Sequence, residues 1–93
     1  MYGTIARMKV KPGGLEALKQ MSEDMTPPPG SVTSYIYQMD VDPNELYLVV
    51  VFESKEAYVA NAQRPEQHAE YEKLRAWLEA DPEWHDGEII FHE

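Results

Sequence analysis

Residues 45–53 read Glu-Leu-Tyr-Leu-Val-Val-Val-Phe-Glu, and both alternating sets within them are apolar: Leu46, Leu48, Val50 and Phe52 against Tyr47, Val49 and Val51. Successive side chains of a strand point to opposite faces, so a strand of this kind belongs to a sheet covered on both sides. A chain of 93 residues has room for a single core, so residues 1–93 read as one domain. The remaining segments must cover two faces of one small sheet, or a second molecule must do so.

Tyr2 to Lys11 alternates, with Thr4, Ala6, Met8 and Val10 opposite Ile5, Arg7, Lys9 and Lys11, the pattern of a half-buried strand that ends at Lys11-Pro12-Gly13-Gly14. Leu15, Leu18, Met21 (or Ser22) and Met25 then recur at helical spacing, and Thr26-Pro27-Pro28-Pro29-Gly30 stops the helix because proline lacks the N–H and disfavours helical geometry before it. Ser31 to Asp40 and Glu45 to Glu53 form an antiparallel hairpin around the turn residues Asp40-Val41-Asp42-Pro43-Asn44.

Ser54 is placed to cap a short helix through Asn61, with Glu56 at its positive end. A break at Gln63-Arg64 follows, and Pro65 suits the first position of a longer helix that Asp81-Pro82 ends. Tyr71, Leu74 and Leu78 make that helix's apolar stripe, and His68 reads as lying one turn earlier on the same sheet-facing side. Trp84-His85-Asp86-Gly87 reads as a corner, and Glu88-Ile89-Ile90-Phe91-His92-Glu93 as a last strand.

The order β, α, β, β, α (split in two), β predicts a ferredoxin-like α+β fold, an antiparallel four-stranded sheet with helices on one face. Those helices leave the second face of the 45–53 strand bare. The expectation is a homodimer in which two sheets pack face to face, a dimeric α/β barrel.

Composition narrows the function classes. Seventeen acidic and eight basic residues give a net charge of −9, a field that repels phosphate backbones and anionic membrane surfaces, so neither nucleic acid nor a membrane is an expected partner. Nine of the acids fall from Glu66 onward, which reads as a solvated acidic face and loop. The absence of cysteine removes disulfides, thiolate metal sites and a cysteine nucleophile. With no apolar run of spanning length and no basic-then-apolar start, the expected location is the cytoplasm.

No phosphate loop, HExxH or GxSxG pattern is present, and His68, His85 and His92 are too scattered to predict a metal site. Chemistry is expected around the break between the two later helices. There Asn61, His68 and Tyr71 bring an amide, an imidazole and a phenol together, and His68 is the candidate base because its ordinary pKa of about 6.5 needs little tuning. Ordinary structural roles compete at each position: His68 as a hydrogen-bonded core or interface residue, Tyr58 and Tyr71 as core aromatics, Asn61 as a helix C-cap, and Trp77 as core or dimer packing.

The segment Ser54 to Tyr71, preceded by the strand ending Val51-Phe52-Glu53 and followed by an acidic loop, Gly87 and a last strand, resembles the antibiotic biosynthesis monooxygenase family of dimeric α+β barrels. The resemblance spans nearly the whole chain. It implies a cofactor-independent oxygenase of quinols, anthrones or similar aromatic phenols. On it, His68 would be the base and Asn61 and Tyr71 donors to a developing oxyanion. Tyr58, Trp77, Met8, Leu74 and Leu78 would line the substrate site, with neither metal nor other cofactor. Haem-degrading members of the wider superfamily carry Asn, Trp and His where this chain has Ala6 or Arg7, Asn61 and Tyr71, so their triad is missing. Two other uses of the same cleft stand beside this one: a non-catalytic homodimeric module that binds a small molecule, and a lyase or isomerase moving a proton next to a carbonyl.

Overall fold

A computed structural model describes Met1–Glu93, with elements in the order β1 (Tyr2–Lys9), α1 (Gly14–Asp24), β2 (Ser31–Gln38), β3 (Glu45–Phe52), α2 (Lys55–Ala62), α3 (Pro65–Arg75) and β4 (Glu83–Glu88). The strands form one antiparallel sheet in the order β2-β3-β1-β4. This is the ferredoxin-like α+β arrangement expected from the element order.

Local chemistry accounts for the element ends. The β1–α1 turn passes through Gly13 at φ +82°, where a side chain would be strained. Ser54 caps α2, its Oγ accepting from Ala57 N at 3.1 Å, and Pro65 opens α3 after the break. Gly3 is fixed by the neighbouring strand, since a Cβ there would stand 2.3 Å from the Val50 carbonyl oxygen.

The core lies between the sheet and the helices and gathers Ala6, Met8, Val10, Leu18, Leu46 and Leu78, with Leu15, Met21, Leu48 and Leu74 packed around it. Thr4, Ala6 and Met8 of β1 face the helices. Directly paired residues share a face, so the register puts Leu46, Leu48 and Val50 of β3 and Trp84 and Asp86 of β4 on that side too.

The opposite face carries Ile5, Tyr35, Tyr37, Tyr47, Val49 and His85, and no helix covers it. Ile5, Tyr35 and Tyr37 are about half exposed. Tyr47 and Val49 are only partly buried despite the apolar character of both their faces.

Two expectations are corrected. The last strand is Glu83–Glu88, which takes in the four residues Trp84 to Gly87 read as a corner, and Ile89 to Glu93 lie beyond it with Ile90 and Phe91 almost bare. The connection from α3 decides this. Leu78 bridges to Val10 and Glu79 N donates to Lys9 O at 2.9 Å, so the chain is already alongside β1 and pairs Glu83 with Arg7 through to Glu88 with Tyr2. By Ile89, β1 has run out; one bond, from Ile89 N to Met1 O, remains. The longer helix also stops at Arg75 rather than at Asp81, because Trp77 O is taken by Lys11 N and Leu78 enters the bridge.

Candidate active site

Helix α3 is the loosest part of the helical layer. It buries none of its residues, and all six residues of β4 are exposed. The candidate cleft is the space between α3 and the β1–β4 half of the sheet. Tyr71 of α3 meets Trp84 of β4 across it, ring centroids 6.5 Å apart and tilted 47°.

The row of α3 turned inward is Gln67, Tyr71 and Leu74, continuing to Leu78 beyond the helix, with spacings of four, three and four. His68 is about 100° away from that row. Its side chain is 75% exposed and its Nε2 stands 2.9 Å from Glu72 Oε1 one turn on. The expected inward-facing histidine is therefore a solvent-side residue, and of the partly buried polar residues of α3 (Gln67, Glu70 and Arg75) it is Gln67 that lies on the row of Tyr71 and Leu74.

At the inner end of the cleft, the break between α2 and α3 gathers a polar trio. Asn61 is 9% exposed. Arg64 Nη1 donates to Asn61 Oδ1 at 2.9 Å, and Asn61 Nδ2 reaches Gln67 Oε1 at 3.4 Å. The short Arg64 bond fixes which end of the amide is the acceptor, leaving the NH2 group, with one long bond, as the donor on offer.

On the helix-facing side between β1 and α2, Tyr58 Oη donates to Asp86 Oδ1 at 2.9 Å. The Tyr58 ring packs against Tyr2 and Phe52 with centroids 5.4 and 5.5 Å away. Burial, and then the hydrogen bond and charge of Asp86, push the Tyr58 phenol up to about 12. It is a hydroxyl donor at neutral pH, and Asp86 an anionic acceptor beside it.

The other expected lining residues divide. Leu74 is partly buried on the inner row, while Met8 and Leu78 belong to the core proper. Trp77 lies past the end of α3, 40% exposed. The fold thus brings Asn61, Tyr71 and Leu74 to one side of α2 and α3, and does not bring His68 with them. Trp84, Asp86, Arg64 and Gln67 were not singled out from the sequence. The signal for the first two was available, since they sit two residues apart as alternate members of one strand face. No group of three or more His, Asp or Glu side chains is placed to hold a metal ion, and no helix is long and apolar enough to cross a membrane.

No protein-family profile matches the chain, and no curated protein matches it. Solved structures do. A Chloroflexus aurantiacus protein provisionally named an antibiotic biosynthesis monooxygenase superposes with a TM-score of 0.81 at 24% identity, over 99% of this chain and 95% of that one. SnoaB, a cofactor-independent oxygenase from Streptomyces nogalater, gives 0.79 at 16% identity, over 98% and 94%. Rv0793 from Mycobacterium tuberculosis gives 0.78 at 17%, over 98% and 96%. At these identities the likeness is one of fold: this chain has the fold of the antibiotic biosynthesis monooxygenases from end to end, as the resemblance implied.

Proposed function

We propose that the chain is a cofactor-independent monooxygenase of small aromatic, quinol or anthrone-type substrates, working in the cleft under α3. The observation that carries the reading is the buried Asn61 amide, oriented by Arg64 and in reach of Gln67, which precedes Tyr71 of the Tyr71–Trp84 pair by one turn of α3. The SnoaB likeness supports it at the level of fold, SnoaB being itself a cofactor-independent oxygenase.

An electron-rich aromatic can reduce dioxygen itself once deprotonated, so the protein's work is to take a proton, hold the anion and keep water out. A base removes a proton from the ring CH2 or hydroxyl. The resulting carbanion passes one electron to dioxygen, the two radicals join in a C–O bond, and the peroxide takes up a proton. Loss of water then leaves a carbonyl, so that CH2 and O2 become C=O and H2O. Asn61 Nδ2 and the Tyr71 hydroxyl are the donors to the anion, and Trp84 and Leu74 the apolar surface. With His68 turned to solvent, Asp86 is the carboxylate that the fold offers as base on the helix-facing side.

The second face of the sheet enters this reading as the dimer surface. Ile5, Tyr35, Tyr37, Tyr47 and Val49 form an apolar patch, with a hollow of about 360 Å³ beside Gly3 and Gly87. A second copy packed there would give β3 the two-sided cover its composition calls for.

The test is incorporation of labelled oxygen. With chelator-treated protein and 18O2, a monooxygenase leaves one labelled atom in the product and the other in water. Unlabelled product, or equal turnover under nitrogen, would replace this reading with the lyase or isomerase.

A further inference from the structure

We propose that α3 is a lid: it lifts from β4 at its Pro65 end to admit an aromatic guest, closes over it, and stays anchored at its Arg75 end. The inference rests on the space under α3 being the substrate site and goes beyond that reading by stating how a guest gets in.

The need for movement comes from the Tyr71–Trp84 pair. The ring centroids are 6.5 Å apart and the planes tilted by 47°, the spacing of two aromatic side chains in contact. A flat ring placed between them needs about 3.5 Å on each side, roughly 7 Å between parallel planes. The pair is therefore shut to a third ring, and one of its two elements must give way. β4 is fixed, because it pairs with β1 from Glu83 opposite Arg7 to Glu88 opposite Tyr2 and leaves only by breaking that ladder. α3 has no such tie. It buries none of its residues, and its inner row of Gln67, Tyr71 and Leu74 is only partly covered.

The two ends of α3 are held unequally. At the C-terminal end Arg75 Nη1 donates to Leu78 O at 3.0 Å and Nε to Asp81 Oδ1 at 2.7 Å, Lys11 Nζ donates to Ala76 O at 3.1 Å, and Leu78 is fully buried. At the other end Arg64 is extended, at φ −73° and ψ 135°, and breaks the helical path between α2 and α3. The side-chain hydrogen bond from α3 back to α2 there runs from Asn61 Nδ2 to Gln67 Oε1 and is long, at 3.4 Å. Lifting the Pro65 end parts that bond, so the amide that is to hold the anion loses its internal acceptor as the guest enters. Closure then seats the anion in place of Gln67 Oε1 and puts α3 between the guest and water. A helix of 11 residues is marginal in water on its own, so α3 melts in part when it leaves the sheet, and its amides then exchange with solvent.

Hydrogen exchange on the wild-type chain at pH 7 tests this. Relative to their intrinsic rates, the amides of Ala69 to Arg75 should exchange at least about tenfold faster than those of Leu18 to Asp24 in α1, a helix that buries Gly14 and Leu18. Urea below the unfolding transition should leave the α3 rate nearly unchanged, since a local opening exposes little surface. A thiol reads the same opening from below. The chain has no cysteine, so Ala6→Cys carries a single thiol, at a position with no exposed surface that pairs with Trp84 on the helix-facing side. The control is Val10→Cys, under the start of α1, where a Cβ on Gly14 would stand 2.9 Å from Val10 Cβ. Ellman's reagent, itself an aromatic disulfide, should label Ala6→Cys at least about tenfold faster than Val10→Cys, each taken relative to its unfolded chain. If Ala6→Cys does not melt as wild type does, the exchange comparison decides alone. Exchange in α3 no faster than in α1, or an Ala6→Cys thiol no more reactive than the Val10→Cys one, overturns the lid. Oxygen uptake is read separately. An opening α3 with no uptake on any substrate keeps the lid and removes the monooxygenase, and uptake with α3 shut does the reverse.

Discussion

Leu78→Ala separates a core residue from a substrate contact. Leu78 is fully buried among Val10, Leu18 and Leu46, although its position on the apolar stripe reads equally well as cleft lining. Truncation removes three carbon groups, a transfer loss of roughly 2.4 kcal/mol. The cavity adds to it, because the backbone on either side is pinned: Trp77 O accepts from Lys11 N at 2.8 Å and Glu79 N donates to Lys9 O at 2.9 Å, so the segment cannot sink into the hole. The expected cost is about 3–4 kcal/mol, within the span of buried Leu→Ala changes. At about 4–8 °C per kcal/mol for a domain of this size, the melting temperature should fall by at least about 12 °C. Urea titration followed by far-ultraviolet circular dichroism, at one protein concentration for both proteins, measures the difference. A loss under about 1.5 kcal/mol with an unchanged slope would refute the placement of Leu78 in the core.

Three further outcomes are expected. Ultraviolet titration should show Tyr58 ionising near pH 12 while ordinary tyrosines ionise near 10; because the folded state holds this proton longer than the unfolded chain, its contribution to stability is intact below about pH 10 and is lost as pH rises from there towards 12, and Asp86→Asn should bring the midpoint down. Ser54→Ala should cost about 1 kcal/mol in the same urea titration through loss of the Ala57 N–H acceptor, and an unchanged midpoint would mean that the cap is not formed in solution. Val49→Glu, on the bare face of the sheet, should convert a species of twice the 10.7 kDa chain mass into monomer in light scattering, and a monomeric wild type would remove the proposed dimer.

How much was legible in the sequence depended on how many residues voted. The β3 run, the alternation of β1 and the proline stop after α1 each rest on several positions, and the four-stranded antiparallel fold follows from them. The inner face of α3 rests on three apolar residues, which admit either Gln67 or His68 one turn before Tyr71, by i−4 or i−3. The geometry takes i−4, the choice in line with Leu74 and Leu78 as well. The last strand was misplaced because Ile89-Ile90-Phe91 is the more strand-like run, whereas pairing follows the Leu78–Val10 anchor and the length of β1, neither of them a property of the local sequence. Arg64 was hidden for a related reason: its partner Asn61 lies across the break between two helices, and only the turn brings the guanidinium onto the amide.

Chemistry at Asn61 in the cleft, and not at the exposed His68, is tested by comparing the two alanine variants. Oxygen uptake by chelator-treated protein, with a panel of dihydroxynaphthalenes, hydroxynaphthoates and anthrones and an autoxidation blank, puts Asn61→Ala beside His68→Ala. Uptake above the blank should fall about a hundredfold or more in Asn61→Ala, the loss typical when an oxyanion donor is removed, and stay within about twofold of wild type in His68→Ala. Uptake no faster than the blank, or lost in His68→Ala and kept in Asn61→Ala, would rule out chemistry at Asn61.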